Sequence, residues 1–304
     1  MDRIQELRKT MLRKAKDDTS VKLSVKDVHV IKSVNVVEDL DAVFNLLAEQ
    51  AIEWYGTYFP ELSRELGNNE TYLKLVYNLG DRKNFTKEKI NEVLSDPEKS
   101  LAIEKLAKSS FGGKVNEAAL KEMQLLALNA LNIKDERAFL MKFLESELQQ
   151  IMPNLSRLAT PLVAAKILAK LGSSERVAFM PASTLQVIGA EKALFRHLRK
   201  GARPPKHGYI FQHPLVKAAP RETRGKIARA LAGKMAIAAK QDYFGKKDTG
   251  DALDKQLDVR VKRINSENTP NRRSNAIETG KNEFAGKKWP DKPRQFSGGK
   301  RKNR

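Results

Sequence analysis

The sequence predicts an all-α protein: a long antiparallel coiled-coil helical hairpin, a compact helical unit and a disordered basic tail. Three observations carry that prediction. Apolar residues recur at 3-4 spacing along two long stretches, separated by a region dense in cap signals. Alternation of the strand type is confined to a few residues. Charge is sorted along the chain rather than spread over it.

Taken in order, residues 1–32 read as a lead-in: one charged helix, then a Val/Lys alternation around Val25 to Ile31 that fits a strand or an extended linker. Residues 33–152 form the expected hairpin. Val37, Leu40, Phe44, Leu47, Ala51, Trp54 and Tyr58 keep the spacing of a coiled-coil seam up to Pro60. A second helix, roughly 115–151, repeats it with Leu126, Ala130, Ile133, Leu140, Leu144 and Ile151, interrupted by the polar Arg137 and Glu147. Between them a helical tip is expected, with Thr86 and Asp96 as N-caps and Phe111-Gly112-Gly113 closing its last helix. Trp54, Tyr55, Tyr58 and Phe59 are more rings than one narrow seam holds. A docking surface for another protein or a second copy is therefore expected, against the plainer reading of an intramolecular pair. Val37, Leu40, Phe44, Leu47, Trp54, Tyr58, Leu140 and Leu144 are the expected dimerisation residues.

Residues 153–264 form the basic unit, with helices expected at about 154–171, 183–200 and 221–243. The stretch Ser183 to Gly201 is the most informative. Ser183 and Gln186 fit a capping box, and Gly201 fits a left-handed stop. Val187, Ala190, Leu194 and Leu198 make one expected apolar face; Lys192, Arg196, Arg199 and Arg203 recur on the other side. A solvated basic face is the plain alternative. The segment ARPPKHGYIFQHP (202–214) interleaves Arg203, Lys206, His207, Tyr209, Phe211 and His213 with prolines, a pattern suited to phosphates and unpaired bases. The alternative is a rigid connector with its rings in the core. One of Tyr209 and Phe211 is expected inside and the other outside. On the last helix Lys226, Arg229, Gly233 and Lys240 share a face. Residues 265–304 lose all periodicity and read as a disordered basic tail.

The charge count decides the class of partner. Residues 1–152 hold 23 Lys and Arg against 25 Asp and Glu; residues 153–244 hold 17 against 4; residues 245–304 hold 17 against 8. The excess of +20 therefore lies wholly in the C-terminal half, a footprint of phosphate-backbone binding. Zero cysteines remove thiolate chemistry and fit a reducing compartment. The charged N-terminus is no secretory signal, and the apolar run Pro161 to Leu171 is too short for a bilayer, so a soluble intracellular protein without membrane contact is expected. Phosphate-loop, nucleophile-elbow, zincin and dinucleotide motifs are missing, and His29, His197, His207 and His213 lack metal-ligand spacing. The chain is expected to be no enzyme and to need no cofactor or metal.

EWYGTYFPEL (53–62), PNLSRLATPLVAAKIL (153–168) and MPASTLQVIGAEKALFRHLRKGARPPKHGYIFQHP (180–214) resemble the Nop family, scaffold proteins of box C/D ribonucleoproteins that guide ribose 2′-O-methylation. The likeness runs from about Asp27 to Ile264 and is nearer the archaeal branch than the spliceosomal one. It implies a self-associating coiled coil, and a Nop domain that recognises a kink-turn in a guide RNA together with the small ribosomal-type protein bound there. On that resemblance Gly189, Glu191 and Lys192 would face RNA and protein. Arg196 would lie near the end of the guide–substrate duplex, and Arg199, Lys200, Arg203 and Lys206 would track phosphates. Gln186, His197, Arg224, Lys226 and Arg229 complete the expected interface. Glu191 either orients neighbouring cations or contacts a partner. Family members usually carry a further N-terminal mixed α/β domain that holds a fibrillarin-like methyltransferase, and the likeness here begins within thirty residues of Met1. The chain is therefore expected to lack that domain; it is a truncated form, or the part is encoded separately, or the enzyme is not recruited directly. The implied location is the cytoplasm in an archaeon and the nucleolus in a eukaryote.

Overall fold

Two helices of 31 and 35 residues, α2 (Lys26–Gly56) and α7 (Glu117–Ile151), set the frame of the molecule. They run antiparallel: Lys26 bonds Gln150 at one end, and Asp41 pairs with Arg137, Oδ2 to Nη2 at 3.0 Å, midway. The computed structural model describes residues 2–23, 26–245 and 249–267, and every regular element among them is helical. The tail expected to be disordered lies outside the described residues beyond Glu267.

The alternation at Val25–Ile31 was the wrong guide, because α2 already includes Lys26 to Ile31. Val30, Val34 and Val37 lie at helical spacing and are fully buried, and burial of that face overrides the β-preference of the valines. Ahead of it, α1 (Asp2–Leu23) exposes Ile4, Leu7, Met11 and Leu12.

The hairpin has a core at each end. At the tip, Ala48, Ala51 and Tyr55 of α2 and Met123, Ala127 and Ala130 of α7 pack with the short helices α3 (Leu62–Glu65), α4 (Asn69–Leu79), α5 (Lys87–Leu94) and α6 (Pro97–Ser109). Asp96 caps α6 by accepting from the N–H of Glu98 and Lys99, with Pro97 at the first helical position; Thr86 precedes α5 without a side-chain cap bond. Three of the four surplus rings end here. The Tyr55 hydroxyl donates to the carbonyl of Gly80, Tyr58 donates to Asp81 at 2.9 Å, and Phe59 meets Phe85 edge-on. Tyr58 and Phe59 lie beyond the end of α2, so the seam stops short of them. Burial drives the Tyr55 hydroxyl pKa well above its ordinary value, keeping it a neutral donor.

At the base of the hairpin, Val30, Val34, Val37, Leu144 and Leu148 enter one core with the C-terminal unit. The chain turns at Pro153 from α7 into α8, and buried residues on both sides of that turn share this core. Asp27, buried at 6% exposure, accepts from the backbone N–H and hydroxyl of Ser174 at 2.7 and 2.8 Å, and Lys166 pairs with Glu38 at 2.8 Å.

The expected helix 154–171 is two helices, α8 (Pro153–Ala159) and α9 (Pro161–Leu171). Pro161 removes an N–H and pushes Thr160 out of helical geometry, to φ 69°. Then follow α10 (Ser174–Phe179), α11 (Ala182–Val187), α12 (Glu191–Lys200), α13 (Pro214–Lys217), α14 (Arg224–Lys240) and α15 (Gly250–Ser266). A π-turn over Gln241–Gly245 ends α14 and drops Asp242 inside. There its carboxylate accepts from the N–H of Asn154 and Leu155 at 3.0 and 2.8 Å and from the Asn154 amide at 2.7 Å, supplying α8 with the cap that Met152 just before it does not give.

Candidate nucleic-acid interface

Ser183 to Gly201 is not one helix. It breaks at Ile188–Ala190, and α12 leaves at a new angle to carry the basic row. Ser183 therefore lies inside α11 and makes no capping box with Gln186. The cause of the break is Gly189, whose φ of 88° is left-handed, and whose absent side chain admits the Tyr209 ring; a Cβ there would meet that ring at 2.7 Å. The expected stop at Gly201 is present, with φ 64° and its N–H bonded to the His197 carbonyl at 2.9 Å.

The break has a consequence for the apolar face. Val187 and Ala190 no longer line up with Leu194 and Leu198, and α12 fully buries none of its residues. Leu194 and His197 rest half-buried against the unit, while Phe195 and Leu198 are 56% and 68% exposed. Lys192, Arg196 and Arg199 fall within about 60° of one another around the axis at about 100° per residue, all exposed, with Lys200 beside them.

Two local bonds shape the ends of this helix, and one ion pair ties it to the body. Glu191 accepts the N–H of Gly189 at 3.0 Å and pairs with Lys170 of α9 at 3.5 Å. Burial pushes the Glu191 carboxyl up, but its bonds from the N–H of Gly189 and its own N–H, with the Lys170 charge, outweigh this and hold its pKa below the usual value. At the other end the His197 ring pairs with the Ala202 carbonyl.

The proline loop is held as firmly. Gly208 donates to the Gln186 carbonyl and Tyr209 to that of Ile188 at 2.9 and 2.8 Å, and the Gln186 amide donates to the Lys206 carbonyl at 2.6 Å. A Cβ on Gly208 would stand 1.8 Å from the Ile188 oxygen, so only glycine fits. Tyr209 and Phe211 do not divide into one inside and one outside. Both are half-buried against the core, and it is Ile210 between them that is fully enclosed. Phe211 is stacked by His207 at 4.8 Å and covered by the Arg224 guanidinium at 5.1 Å. Burial first, then the Arg224 charge, lowers the pKa of His207.

The expected interface residues thus separate by what they touch. Lys192, Arg196, Arg199, Lys200, Arg203, Lys206, Lys226 and Arg229 are exposed. A cleft of about 610 Å³ joins Arg203 and Lys206 of the loop to Lys226 and Arg229 of α14. Gln186 is buried and spends its side chain on the loop, Arg224 bonds the carbonyls of Ala219 and Lys217, and Glu191 and His197 serve α12 itself. These four are positioning residues. Lys170 was not legible as part of the site, because its partner Glu191 stands twenty-one residues away in the sequence. Among the described residues no group of three or more His, Asp or Glu is placed to hold a metal, and no helix is long and apolar enough to cross a membrane.

Fold and surface together define a class: an all-helical binding module that offers cations and rings to a polyanion. Residues 36–263 match the family described as Nop, snoRNA binding domain, fibrillarin. The chain belongs to the Nop family. It is 43% identical over 240 residues to an uncharacterized NOP5 family protein of Methanocaldococcus jannaschii, covering 79% of this chain and 57% of that protein. It is 34% identical over 241 residues to human nucleolar protein 56, covering 77% of this chain and 41% of that protein, and 34% identical over 227 residues to human nucleolar protein 58, covering 75% and 42%. The chain thus spans about two fifths to three fifths of the length of these relatives. A solved chain from a fibrillarin/Nop5p complex aligns with a TM-score of 0.47 at 27% identity, covering 86% of this chain and 78% of that one.

Proposed function

We propose that the chain is a non-catalytic scaffold of a box C/D guide ribonucleoprotein. Its α12 and 202–208 loop read a kink-turn RNA jointly with the small ribosomal-type protein bound to it. The observation that carries this is α12 itself: a ten-residue helix that fully buries no side chain, is closed at each end by a local bond and is tied to α9 through Glu191 and Lys170, so its cationic row is presented without a core to serve. The family description names snoRNA binding, and the relatives are nucleolar proteins, which supports the same class of ligand. A fibrillarin-like methyltransferase is the catalytic partner in this reading, and no residue of this chain is assigned to it. In the same proposal the cytoplasm is the seat of an archaeal protein and the nucleolus that of a eukaryotic one.

Self-association belongs to the proposal with a revised surface. Val37 and Leu144 are enclosed by their own chain, Leu40, Phe44, Leu47 and Leu140 are half-covered in the hairpin, and Tyr58 lies in the tip core. Of the expected set only Trp54 is open, at 41%. The large apolar groups open to a second copy are Val36, Val43, Leu46 and Trp54 on α2, with Leu125, Phe139 and Phe143 on α7.

The test is a gel shift on a kink-turn RNA, with and without its small ribosomal-type protein, at two salt concentrations. Tight binding only to the preformed RNA–protein complex is expected, and Lys192→Ala with Arg196→Ala weakens it while circular dichroism stays unchanged. Equal, steeply salt-dependent binding to any RNA would reduce the site to a general basic patch.

A further inference from the structure

Beyond the loop, the basic surface continues across α14 onto α15, a helix the sequence did not single out. Lys226 and Arg229 line not only the cleft under Arg203 and Lys206 but a second of about 330 Å³, shared with Arg260 of α15. Arg229 and Arg260 in turn line a third, of about 730 Å³, between α14 and α15. Three concavities are therefore strung together by shared cations. In the last, Arg229 and Lys234 stand on the α14 wall, Lys234 bonded across to Gln256 at 2.5 Å, and Lys255, Arg260 and Arg263 on the α15 wall. The floor is Ala230, Gly233 and Leu257, with Ile237 and Val259 exposed at its rim.

The charge sorting on α15 is what makes this a surface and not a basic helix. Of its three acids, Asp251 and Asp254 turn to α8 and pair with Arg157, and the exposed Asp258 lies outside the groove lining, while Lys255, Arg260 and Arg263 line the groove. The carboxylates lining the three clefts are Glu222 and Glu267, and Glu267 is paired with Arg263 at 2.9 Å. From Lys255 to Arg263 the helix advances about 12 Å, room for a few successive phosphates of one strand. Gly233 leaves the floor open, with nothing within 4 Å of where a Cβ would stand.

We propose that the α14–α15 groove binds a strand of RNA through its phosphates, carrying the RNA onward from the loop cleft along Arg229 to Arg260 and Lys255. This rests on the reading of α12 and the loop as an RNA site and lengthens that site by one groove. The floor accepts sugar and base edges that a fully polar trough would leave hydrated. The chain's own tail is a poor occupant, since residues 266–304 hold 11 Lys and Arg against 4 Asp and Glu and share the sign of the walls. An acidic amphipathic helix would match walls and floor, but it gives no reason for the cations to run on without a break into the proline loop.

The experiment uses the full chain and two RNAs, the kink-turn RNA of the preceding test and the same RNA with a ten-nucleotide unpaired extension. For the unaltered protein the extension should tighten binding about tenfold and steepen the salt slope by about 1.4 for two added single-strand contacts. Lys255→Glu with Arg260→Glu should abolish that gain and leave the shorter RNA bound as before. The Ala versions of both positions, which ask less of the fold, should remove part of it. Equal binding of the two RNAs by the unaltered protein overturns the proposal, as does a charge-reversed variant that weakens both RNAs alike. A Glu/Leu helical peptide that binds the unaltered protein but not the variant, with no gain from the extension, assigns the groove to a protein partner and overturns it too. If neither RNA binds specifically, it is the α12 reading that has failed.

Discussion

Glu191 reaches back two residues to take the N–H of Gly189 at 3.0 Å, and this bond closes the break from which α12 springs. The carboxylate serves the cations by placing their helix, not by pairing with Lys192. Glu191→Gln keeps an acceptor oxygen and removes a negative charge from a cationic face, so RNA affinity should hold or rise slightly. Glu191→Ala strands the Gly189 N–H, costs about 1 kcal/mol once its partial exposure is allowed for, and should weaken RNA binding severalfold. Urea unfolding and gel shifts on the pair of variants check this. Equal loss in both would mean that Glu191 meets a partner directly.

Gly189 itself gives a sharper case. Any side chain at φ 88° is strained by about 1 kcal/mol or more, and a Cβ would lie 2.7 Å from the Tyr209 ring. Gly189→Ala should destabilise the protein by about 2 kcal/mol or more by urea unfolding, and lower RNA affinity further than its loss of folded protein explains. Trimming the ring as well, with Tyr209→Ala, should recover part of the affinity by removing the clash but not the strain.

Asp242 has nothing to do with RNA and should show it. It joins the end of α14 to the start of α8 through three donors in a buried site. Asp242→Ala leaves those donors short of partners and should cost about 3 kcal/mol, read as a lower urea midpoint. Asp242→Asn should also destabilise, because one acceptor oxygen becomes a donor facing donors. At a temperature where the variants stay folded, their RNA affinity should be unchanged.

Helix existence was legible wherever periodicity ran long; what escaped was where helices break and what spans them. The Val25–Ile31 alternation misled because valines at 30, 34 and 37 satisfy a helix as well, and the strand reading weighed only their immediate neighbours. The capping box at Ser183 and Gln186 was a true pattern in the wrong frame, since Pro181 already starts α11 and Gly189 ends its run. The cations of α12 and the loop could be read from spacing alone. The partners that orient them could not: Lys170 to Glu191 and Gln186 to Lys206 are contacts made only by folding. The helix at 250–266 was hidden because more than half its residues are charged or polar and its one apolar face is narrow, carried by Leu253, Leu257 and Ile264.

Two histidines make stability depend on acid. His213, at 7% exposure, accepts the N–H of Leu215 on Nδ1 at 3.2 Å. Burial lowers its pKa, opposed in part by its bond with the Leu158 backbone and by Asp254; His207 is lowered as well. The unfolded chain takes up these protons near pH 6.5, before the folded protein does. Their contribution is therefore complete above about pH 6.5 and is lost as pH falls toward the folded values. The thermal midpoint should drop between pH 7 and 5. His213→Asn, which can still accept from Leu215 but does not titrate there, should flatten that drop by scanning calorimetry, with the remainder owed to His207 and the carboxylates.

The hairpin's open face is the last test and bears on assembly. Val36, Val43 and Trp54 fall along one line of α2, and antiparallel pairing sets Phe139 and Phe143 of α7 at the level of Val36. Phe139 and Phe143 are 64% and 42% exposed, and the Lys142 ammonium 5.8 Å from the Phe139 ring centroid covers little of them. A second copy burying them would gain roughly 25 cal/mol for each Å² of apolar surface covered, whereas truncation at Val37 or Leu144 would unfold the hairpin before it reported on assembly. Trp54→Glu with Phe143→Glu should leave the helical circular dichroism intact and convert a dimer to a monomer by light scattering at micromolar concentration. A wild-type chain that is monomeric at high concentration would remove self-association from the proposal, leaving the exposed stripe to a different protein of the particle, whose capture should then be lost in the same double variant.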